Sequence, residues 1–389
     1  MPGALGSEQF QIKGLACSTK HQQAQAEPRV AHLPRARHIG RMELVDASTA
    51  EAYLRRTERV DPTARVEVER LAGGVSNEVL LISVVDQDQP PHSFVIKQAR
   101  PQLRTPQPWF CTVERIWRET SVLNVCQQLA EPGQIPRILF EDRANYLFAM
   151  TAAPRHHRTW KADLLSGTAD PAIARACGRL LGALHAGSWR DPQLAVEFAD
   201  QQLFDELRID PYYRTVARTI PSAAPALVAV IESLSANPCA LVHADFSPKN
   251  VLLFAGGLML VDYETGHFGD PAFDLGFFFS HLFLKTFYHA PHAAPFVVAT
   301  DEFWQAYQGV VEPRIPAADF RALADRWTQH LGACIWSRLD GKSQVEYLSD
   351  EQRRAAAREL AQSLVFEPRQ PWPIPLEQLK NLLAKVTNP

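Results

Sequence analysis

Two short stretches hold residues whose types and spacing could do chemistry. In Leu241-Val-His-Ala-Asp245-Phe-Ser-Pro-Lys-Asn250-Val-Leu-Leu-Phe, an acid and an amide stand five positions apart across a Pro-containing loop, with apolar runs on both sides. Shortly after, Leu258-Met-Leu-Val-Asp262-Tyr-Glu264 brings two more acids off the end of another apolar run. Phosphoryl transfer needs such a set: one carboxylate takes the proton of the attacking hydroxyl, while amide and carboxylate oxygens hold a divalent cation against nucleotide phosphates. Mg²⁺ takes one or two protein carboxylates and completes its shell with phosphate and water. Asp245 is therefore the candidate base, and Asn250, Asp262 and Glu264 are candidate metal ligands. Singly, each has a plainer reading as a turn acid or strand end. Their order within a strand–loop–strand setting favours chemistry.

The surrounding pattern must supply elements to hold these loops. Asp46-Ala-Ser-Thr offers helix-capping side chains ahead of Ala50-Glu-Ala-Tyr-Leu. Three β-rich runs follow, Arg65–Leu71, Glu78–Val85 and Ser93–Lys97, broken by Gly73-Gly74 and by Gln89-Pro-Pro-His; they predict consecutive antiparallel strands. A helix over about Val113–Leu129 and two strand-like pieces, Arg137–Phe140 and Tyr146–Met150, complete a small sheet with one helix. After Thr151 the period becomes helical, over Ile173–His185, Ala224–Leu234, Phe303–Tyr307, Phe320–Leu339 and Arg353–Phe366. The two chemical stretches are the non-helical island of that second lobe. The most apolar run, Phe273–Tyr288, carries Asp274, His281 and Lys285 and is too short to span a bilayer, so it predicts a buried helix. The Pro-rich stretch from Glu367 to Pro375 predicts an extended connector to a last short helix. The expected fold class is α+β: a nucleotide-binding lobe over 43–151 and a helical catalytic and acceptor-binding lobe over 152–389. Residues 1–42 show no apolar period and predict a disordered extension without function, with Met42 as the alternative start.

The sequence resembles the aminoglycoside phosphotransferase-like kinases, which include choline, fructosamine, homoserine and methylthioribose kinases, from about Leu71 to Leu364. The resemblance rests chiefly on LVHADFSPKNVLL and LVDYETGHFGDPAFDLG. It implies a protein-kinase-like bilobal fold, with ATP and Mg²⁺ as cofactors. It further implies Asp245 as catalytic base, Asn250 and Asp262 as metal ligands, Asp274 as the brace of the catalytic loop and His243 as its supporting histidine. Glu264 as the second acid is closer to the methylthioribose kinase pattern than to paired aspartates. Nothing in the sequence separates ATP from GTP.

Lys97 ends the strand Ser-Phe-Val-Ile-Lys, which resembles the Val-Ala-Ile-Lys strand whose lysine pairs with nucleotide phosphates. Glu119 resembles the helix acid that orients such a lysine; Glu114 competes for that role, and only helical phase distinguishes them. Gly73, Gly74, Ser76 and Asn77, between two strands, suit a loop whose backbone approaches phosphate, although Gly-Gly is also an ordinary hairpin turn. Met150 lies at the expected interlobe hinge, where backbone groups would meet the base. Position 247 is Ser where protein Ser/Thr kinases have Lys, leaving Lys249 as the candidate for the γ-phosphate.

A net charge of −3 gives no field to gather nucleic acid or an anionic membrane, and neither partner is expected. Six scattered cysteines without a Cys-x-x-Cys pair or signal-peptide pattern predict a reduced, cytoplasmic setting. His156, His157, His281, His289 and His292 lack metal-ligand spacing. His185 and the aromatic residues Trp304, Tyr307, Trp327 and Trp336 predict core packing. A protein kinase is disfavoured, because Tyr-Glu follows Asp262 and only Thr265–Gly269 precedes Asp270-Pro-Ala-Phe-Asp. An inert nucleotide-binding scaffold is disfavoured by the retained Asp245, Asn250, Asp262 and Lys97. The expected activity is phosphorylation of a hydroxyl on a small polar metabolite, sugar-like or an amino-alcohol. Arg338 and Lys342 would bind that acceptor if buried in a cleft, and would be plain helix-end charges if exposed. Methylthioribose kinases have two adjacent arginines at what resembles this position; here Ser337 replaces one, which argues against methylthioribose itself.

Overall fold

The computed structural model describes residues 42–71, 77–86, 90–102, 112–367 and 370–387. The expected extension before residue 42 lies outside them, as do Gly73, Gly74 and Ser76. Residues 42–389 form the compact unit considered below.

Its first part is a sheet with one helix on each side. Helix α1 (Ala50–Arg56) follows Asp46, whose carboxylate accepts from the backbone of Ser48 and Thr49. The strands are β1 (Arg65–Arg70), β2 (Asn77–Val85), β3 (His92–Ala99), β4 (Ile138–Asp142) and β5 (Leu147–Thr151), ordered β1-β2-β3-β5-β4 in one antiparallel five-stranded sheet. Helix α2 (Arg115–Leu129) lies between β3 and β4 in sequence. Strand period two divides β3 between two cores. Phe94 and Ile96 join α1, whereas Val95 and Ala99 pack with Ile116, Val122 and Leu123 of α2. Lys97, in phase with Val95 and Ala99, is thereby presented to α2.

The second part opens with β6 (Arg158–Thr159), α3 (Trp160–Leu165), α4 (Pro171–Gly187) and α5 (Pro192–Glu197). A helical segment follows as α6 (Gln202–Phe204), a π-helical stretch Asp205–Arg214, and α7 (Thr215–Thr219). This segment was not foreseen. Pro211 inside it has no N–H for an i→i−4 bond, and the wider π spacing takes over there. Next come α8 (Ala224–Ala236), the short strands β7 (Ala240–Val242), β8 (Val251–Phe254), β9 (Gly257–Leu260) and β10 (His267–Gly269), and then α9 (Pro271–Tyr288), α10 (Ala294–Val311), α11 (Ala317–Asp340), α12 (Glu351–Phe366) and α13 (Ile374–Thr387). The expected helix at Phe303–Tyr307 is thus the middle of a longer one that starts at a favourable first-turn proline.

Two close approaches fix the helices that matter for chemistry. A Cβ at Gly178 of α4 would stand 2.3 Å from the Phe303 carbonyl of α10, and one at Gly276 of α9 would stand 2.5 Å from the His330 backbone of α11. Only glycine permits such contact, which seats α4 against α10 and α9 against α11. The expected packing aromatics Trp304, Tyr307, Trp327 and Trp336 are all buried, and Trp304 and Trp327, joined by Trp372, surround Phe279 with ring centroids 4.6–6.5 Å away. No single helix among the described residues is long and apolar enough to cross a membrane.

Candidate active site

Strand β7 delivers His243-Ala-Asp245 into a loop that β8 resumes at Val251. The loop contains a strained turn, since Ala244 has φ +59. Asp274 holds that turn in place. Its carboxylate accepts the backbone N–H groups of His243 and Ala244, both at 2.7 Å, and lies 3.2 Å from His185 Nε2. His185 Nδ1 in turn meets the Tyr307 hydroxyl at 2.9 Å, so this buried histidine is satisfied at both nitrogens. Burial opposes the charge on Asp274, but His185 and His243 hold its carboxyl below the usual range. The sequence places Asp274 correctly because Asp270 caps α9 through the Ala272 N–H, with Pro271 at the first position, and is locked by Arg326 at 2.7 Å.

Asp245 is held on every side. The Arg208 guanidinium lies 2.8 Å from Oδ1, Lys249 Nζ lies 2.9 Å from Oδ2, and Asn250 Nδ2 donates to Oδ2 at 2.8 Å. The backbone N–H of Asp245 donates to His243 Nδ1 at 3.1 Å. Asn250 turns its amide nitrogen to Asp245, so its oxygen is the atom a cation would take. Arg208 was not foreseen. It sits on the π-helical stretch beside the buried Ile209, Tyr212 and Tyr213, and also donates to the Ala244 carbonyl at 2.8 Å. Its one sequence signal is an arginine bordering an apolar helix face.

The sheet contributes a second charged centre. Lys97 Nζ contacts Glu119 Oε1 at 2.6 Å and Asp262 Oδ1 at 2.9 Å. Glu119 is therefore the lysine's partner. Glu114, five residues or about 140° away on the helix, lies at the start of α2, where it accepts from the Tyr146 hydroxyl at 3.4 Å. Burial opposes the Lys97 charge, yet Asp262, Glu119 and Glu264 hold it well above the ordinary lysine range. Burial likewise opposes the charge on Asp262, but Lys97 and Lys249 keep that carboxyl far below its usual value. Glu119 is pushed upward by burial against the pull of Lys97. Asp262 has φ +74, so this acid also sits on a strained backbone. Asn77, at the start of β2, donates to Glu264 at 3.3 Å and ties the sheet to the second acid. Met150 is buried on β5, paired in register with Val95.

Asn250, Asp262 and Glu264 offer only oxygen donors, which suits a hard divalent cation that keeps part of its shell for phosphate and water. No group of three or more His, Cys, Asp or Glu side chains disposed to hold a metal occurs among the described residues.

Residues 67–310 match the phosphotransferase enzyme family (APH). The chain belongs to this family. A methylthioribose kinase from Cronobacter sakazakii is 26% identical over 271 residues, covering 61% of this chain and 65% of that enzyme. One from Escherichia coli is 26% identical over 304 residues, covering 70% and 71%. The chain thus spans slightly less than two thirds of the first of these and slightly more of the second. A choline/ethanolamine kinase family protein from Mesorhizobium loti aligns with TM-score 0.43 and 17% identity over 86% of this chain and 99% of that one. In this phosphotransferase family member the α+β architecture is the one expected, an antiparallel sheet lobe followed by a mostly helical lobe.

The two residues expected to meet the acceptor part company. Arg338, in the last turn of α11, is partly buried and donates to the Ser343 carbonyl at 2.6 Å, with Tyr212 Oη 3.4 Å away. Lys342 is exposed, because α11 stops at Asp340 and Gly341 turns the chain outward. It does not join the cleft. Ser337 is buried, with its hydroxyl bonded to the Ala333 carbonyl, so no second charge accompanies Arg338 at that position.

Proposed function

We propose that this phosphotransferase uses ATP and Mg²⁺ to phosphorylate a hydroxyl of a small polar metabolite, sugar-like or an amino-alcohol, with Asp245 as the proton acceptor. The observation that carries the reading is the convergence of Asp245, Asn250, Asp262 and the Lys97–Glu119 pair on one cleft. Asn250, Asp262 and Glu264 would hold the cation, which supplies charge neutralisation to the transferring phosphate. Lys97 would take nucleotide phosphate oxygens while Glu119 keeps its ammonium aimed. Asn77, with Gly73, Gly74 and Ser76 before it, would cover the phosphates, and the backbone around Met150 would meet the base. Arg208 and Asn250 fix both oxygens of Asp245, so the carboxylate needs no reorientation to receive the hydroxyl proton. Lys249, beside that carboxylate, is positioned to meet the γ-phosphate. Asp274 and His243 set the loop without touching substrate. Seven residues separate Asp262 from Asp270, and the chain passes directly through β10 into α9, which leaves no room for the activation segment of a protein kinase. The expected setting is the cytoplasm.

Mg²⁺-dependent ATP consumption against a library of hydroxyl metabolites tests the proposal. Wild-type protein should transfer phosphate to at least one member. Asp245→Asn should lower kcat by about 100- to 10,000-fold while nucleotide still binds. Near-wild-type turnover in that variant would remove Asp245 as the base.

A further inference from the structure

Helix α9 carries a stripe that leads away from Asp245. Phe277, His281 and Lys285 recur at four-residue spacing and therefore share one face. Phe277 packs beneath the Arg208 guanidinium, 5.8 Å from its ring centre, and Arg208 pairs with Asp245. The His281 ring stacks edge-on against Phe277 at 5.0 Å. Lys285 is 1% exposed and reaches back one turn to the His281 carbonyl at 3.3 Å, with its ammonium 5.2 Å from the centre of the Tyr347 ring. Lys285 is eight residues, or about 12 Å of helix rise, beyond Phe277, and its side chain leans back toward His281.

A buried ammonium ordinarily has a carboxylate beside it. Neither Lys285 nor Arg338 forms an ion pair among the described residues, unlike Lys97, Arg208 and Lys249 around the catalytic acids. Burial first, then Arg338 and Lys161, push the Lys285 ammonium down to about 7, so its charged neighbours are themselves cations. Three buried polar atoms around it, His281 Nε2, Arg338 Nε and the Tyr347 hydroxyl, have no hydrogen-bond partner among the described residues. Lys161 connects the cluster to the catalytic loop, since its backbone N–H donates to the Pro248 carbonyl at 2.9 Å. Cations and unmet donors gathered within reach of the loop that carries Asp245 describe one complementary group.

We infer that Lys285, Arg338, His281 and Tyr347 form an anion subsite, and that the acceptor carries a carboxylate or phosphate group a short chain away from the hydroxyl that Asp245 receives. The inference rests on the proposed kinase reading for the role of Asp245, but the subsite itself can be tested by binding. Of the two acceptor classes proposed above, this favours a sugar-like molecule bearing an anionic group over a simple amino-alcohol, whose ammonium would add to an unpaired set of cations.

The test uses the full chain saturated with AMP-PNP and Mg²⁺, so that the nucleotide site is filled. Acetate and inorganic phosphate are titrated separately against chloride at matched ionic strength, with melting temperature as the readout. One of the two should raise it saturably in the wild type and not in Lys285→Met, and which one does so distinguishes a carboxylate from a phosphate acceptor. No rise with either anion, or an equal rise in the variant, overturns the subsite. Tyr347→Phe, which keeps the ring and removes the hydroxyl, serves as a second variant should Lys285→Met fail to fold. In turnover assays on hydroxy acids, sugar phosphates, neutral polyols and amino-alcohols, an anionic acceptor should be preferred. Lys285→Met should raise its KM by about 10- to 100-fold and leave the ATP KM unchanged. Preference for neutral or cationic acceptors, insensitive to Lys285→Met, would overturn the subsite and leave the kinase reading intact. Lys285-dependent anion binding without phosphate transfer to any acceptor would do the reverse.

Discussion

Replacing Lys97 by Met isolates the energetics of the charged centre between sheet and catalytic motif. The Glu119 side chain is 1% exposed, and without Lys97, 2.6 Å away, its carboxylate has no adjacent cation. It escapes that position by taking up a proton. From an ordinary glutamate value of 4.5, neutralisation costs 1.36 kcal/mol per pH unit, which is about 3.4 kcal/mol at pH 7 and about 0.7 kcal/mol at pH 5. The sign follows from proton counts: above pH 4.5 the folded variant binds a proton that the unfolded chain has released, so the variant loses stability as pH rises. Adding Glu119→Gln removes the titrating group. Lys97→Met/Glu119→Gln should therefore recover about 3 kcal/mol over the single variant at pH 7 and under about 1 kcal/mol at pH 5, with nucleotide affinity weakened in both. Urea unfolding at the two pH values, with nucleotide titrations beside it, measures this. A double variant no more stable than the single one at pH 7, or a gain of equal size at pH 5, would refute the reasoning.

Asp274→Ala should destabilise the protein by about 3–5 kcal/mol, since it strands the His243 and Ala244 N–H groups and His185 in a buried network; unchanged urea midpoints would show that the loop is held elsewhere. The Lys285 ammonium, lowered from 10.5 to about 7, leaves the folded state with fewer protons than the unfolded chain between those values. Stability should accordingly rise with pH through that window and be lowest below it. Lys285→Met should stabilise the protein at pH 6, with a rough ceiling of 5 kcal/mol, and much less at pH 9.5; equal effects at both would mean the ammonium is not buried as described.

The grouping of Asp245, Asn250, Asp262 and Asp274 was legible because all four fall within thirty residues, where loop spacing and one helix cap determine their meeting. Lys97 could be placed from its likeness to the Val-Ala-Ile-Lys strand, although β3 runs on past it to Ala99. Glu119 could be preferred to Glu114 only by resemblance, since both lie near one helix and its packing against β3 is what selects the phase. Arg208 was illegible for a different reason. It meets Asp245 across 37 residues, from a segment whose Pro211 disrupts the ordinary helical period. Lys285 was visible only as a charge interrupting an apolar run, and its neighbours Arg338 and Tyr347 come from more than fifty residues away. Lys342 shows the converse limit. A basic residue two positions past a helix end reads the same whether the chain turns inward or outward.

Lys97 and Asp262 pair with one another at 2.9 Å. On the proposed reading, each is wanted by a different ligand: the ammonium by phosphate, the carboxylate by the cation. Nucleotide arriving alone would draw Lys97 away and leave Asp262 without its counter-charge, and a cation arriving alone would do the same to Lys97. Arrival of both satisfies both. The internal pair thus acts as a competitor against either ligand by itself, and it makes the two mutually enhancing in their affinities. On that reading, a site built this way would favour the metal–nucleotide complex over free nucleotide or free metal.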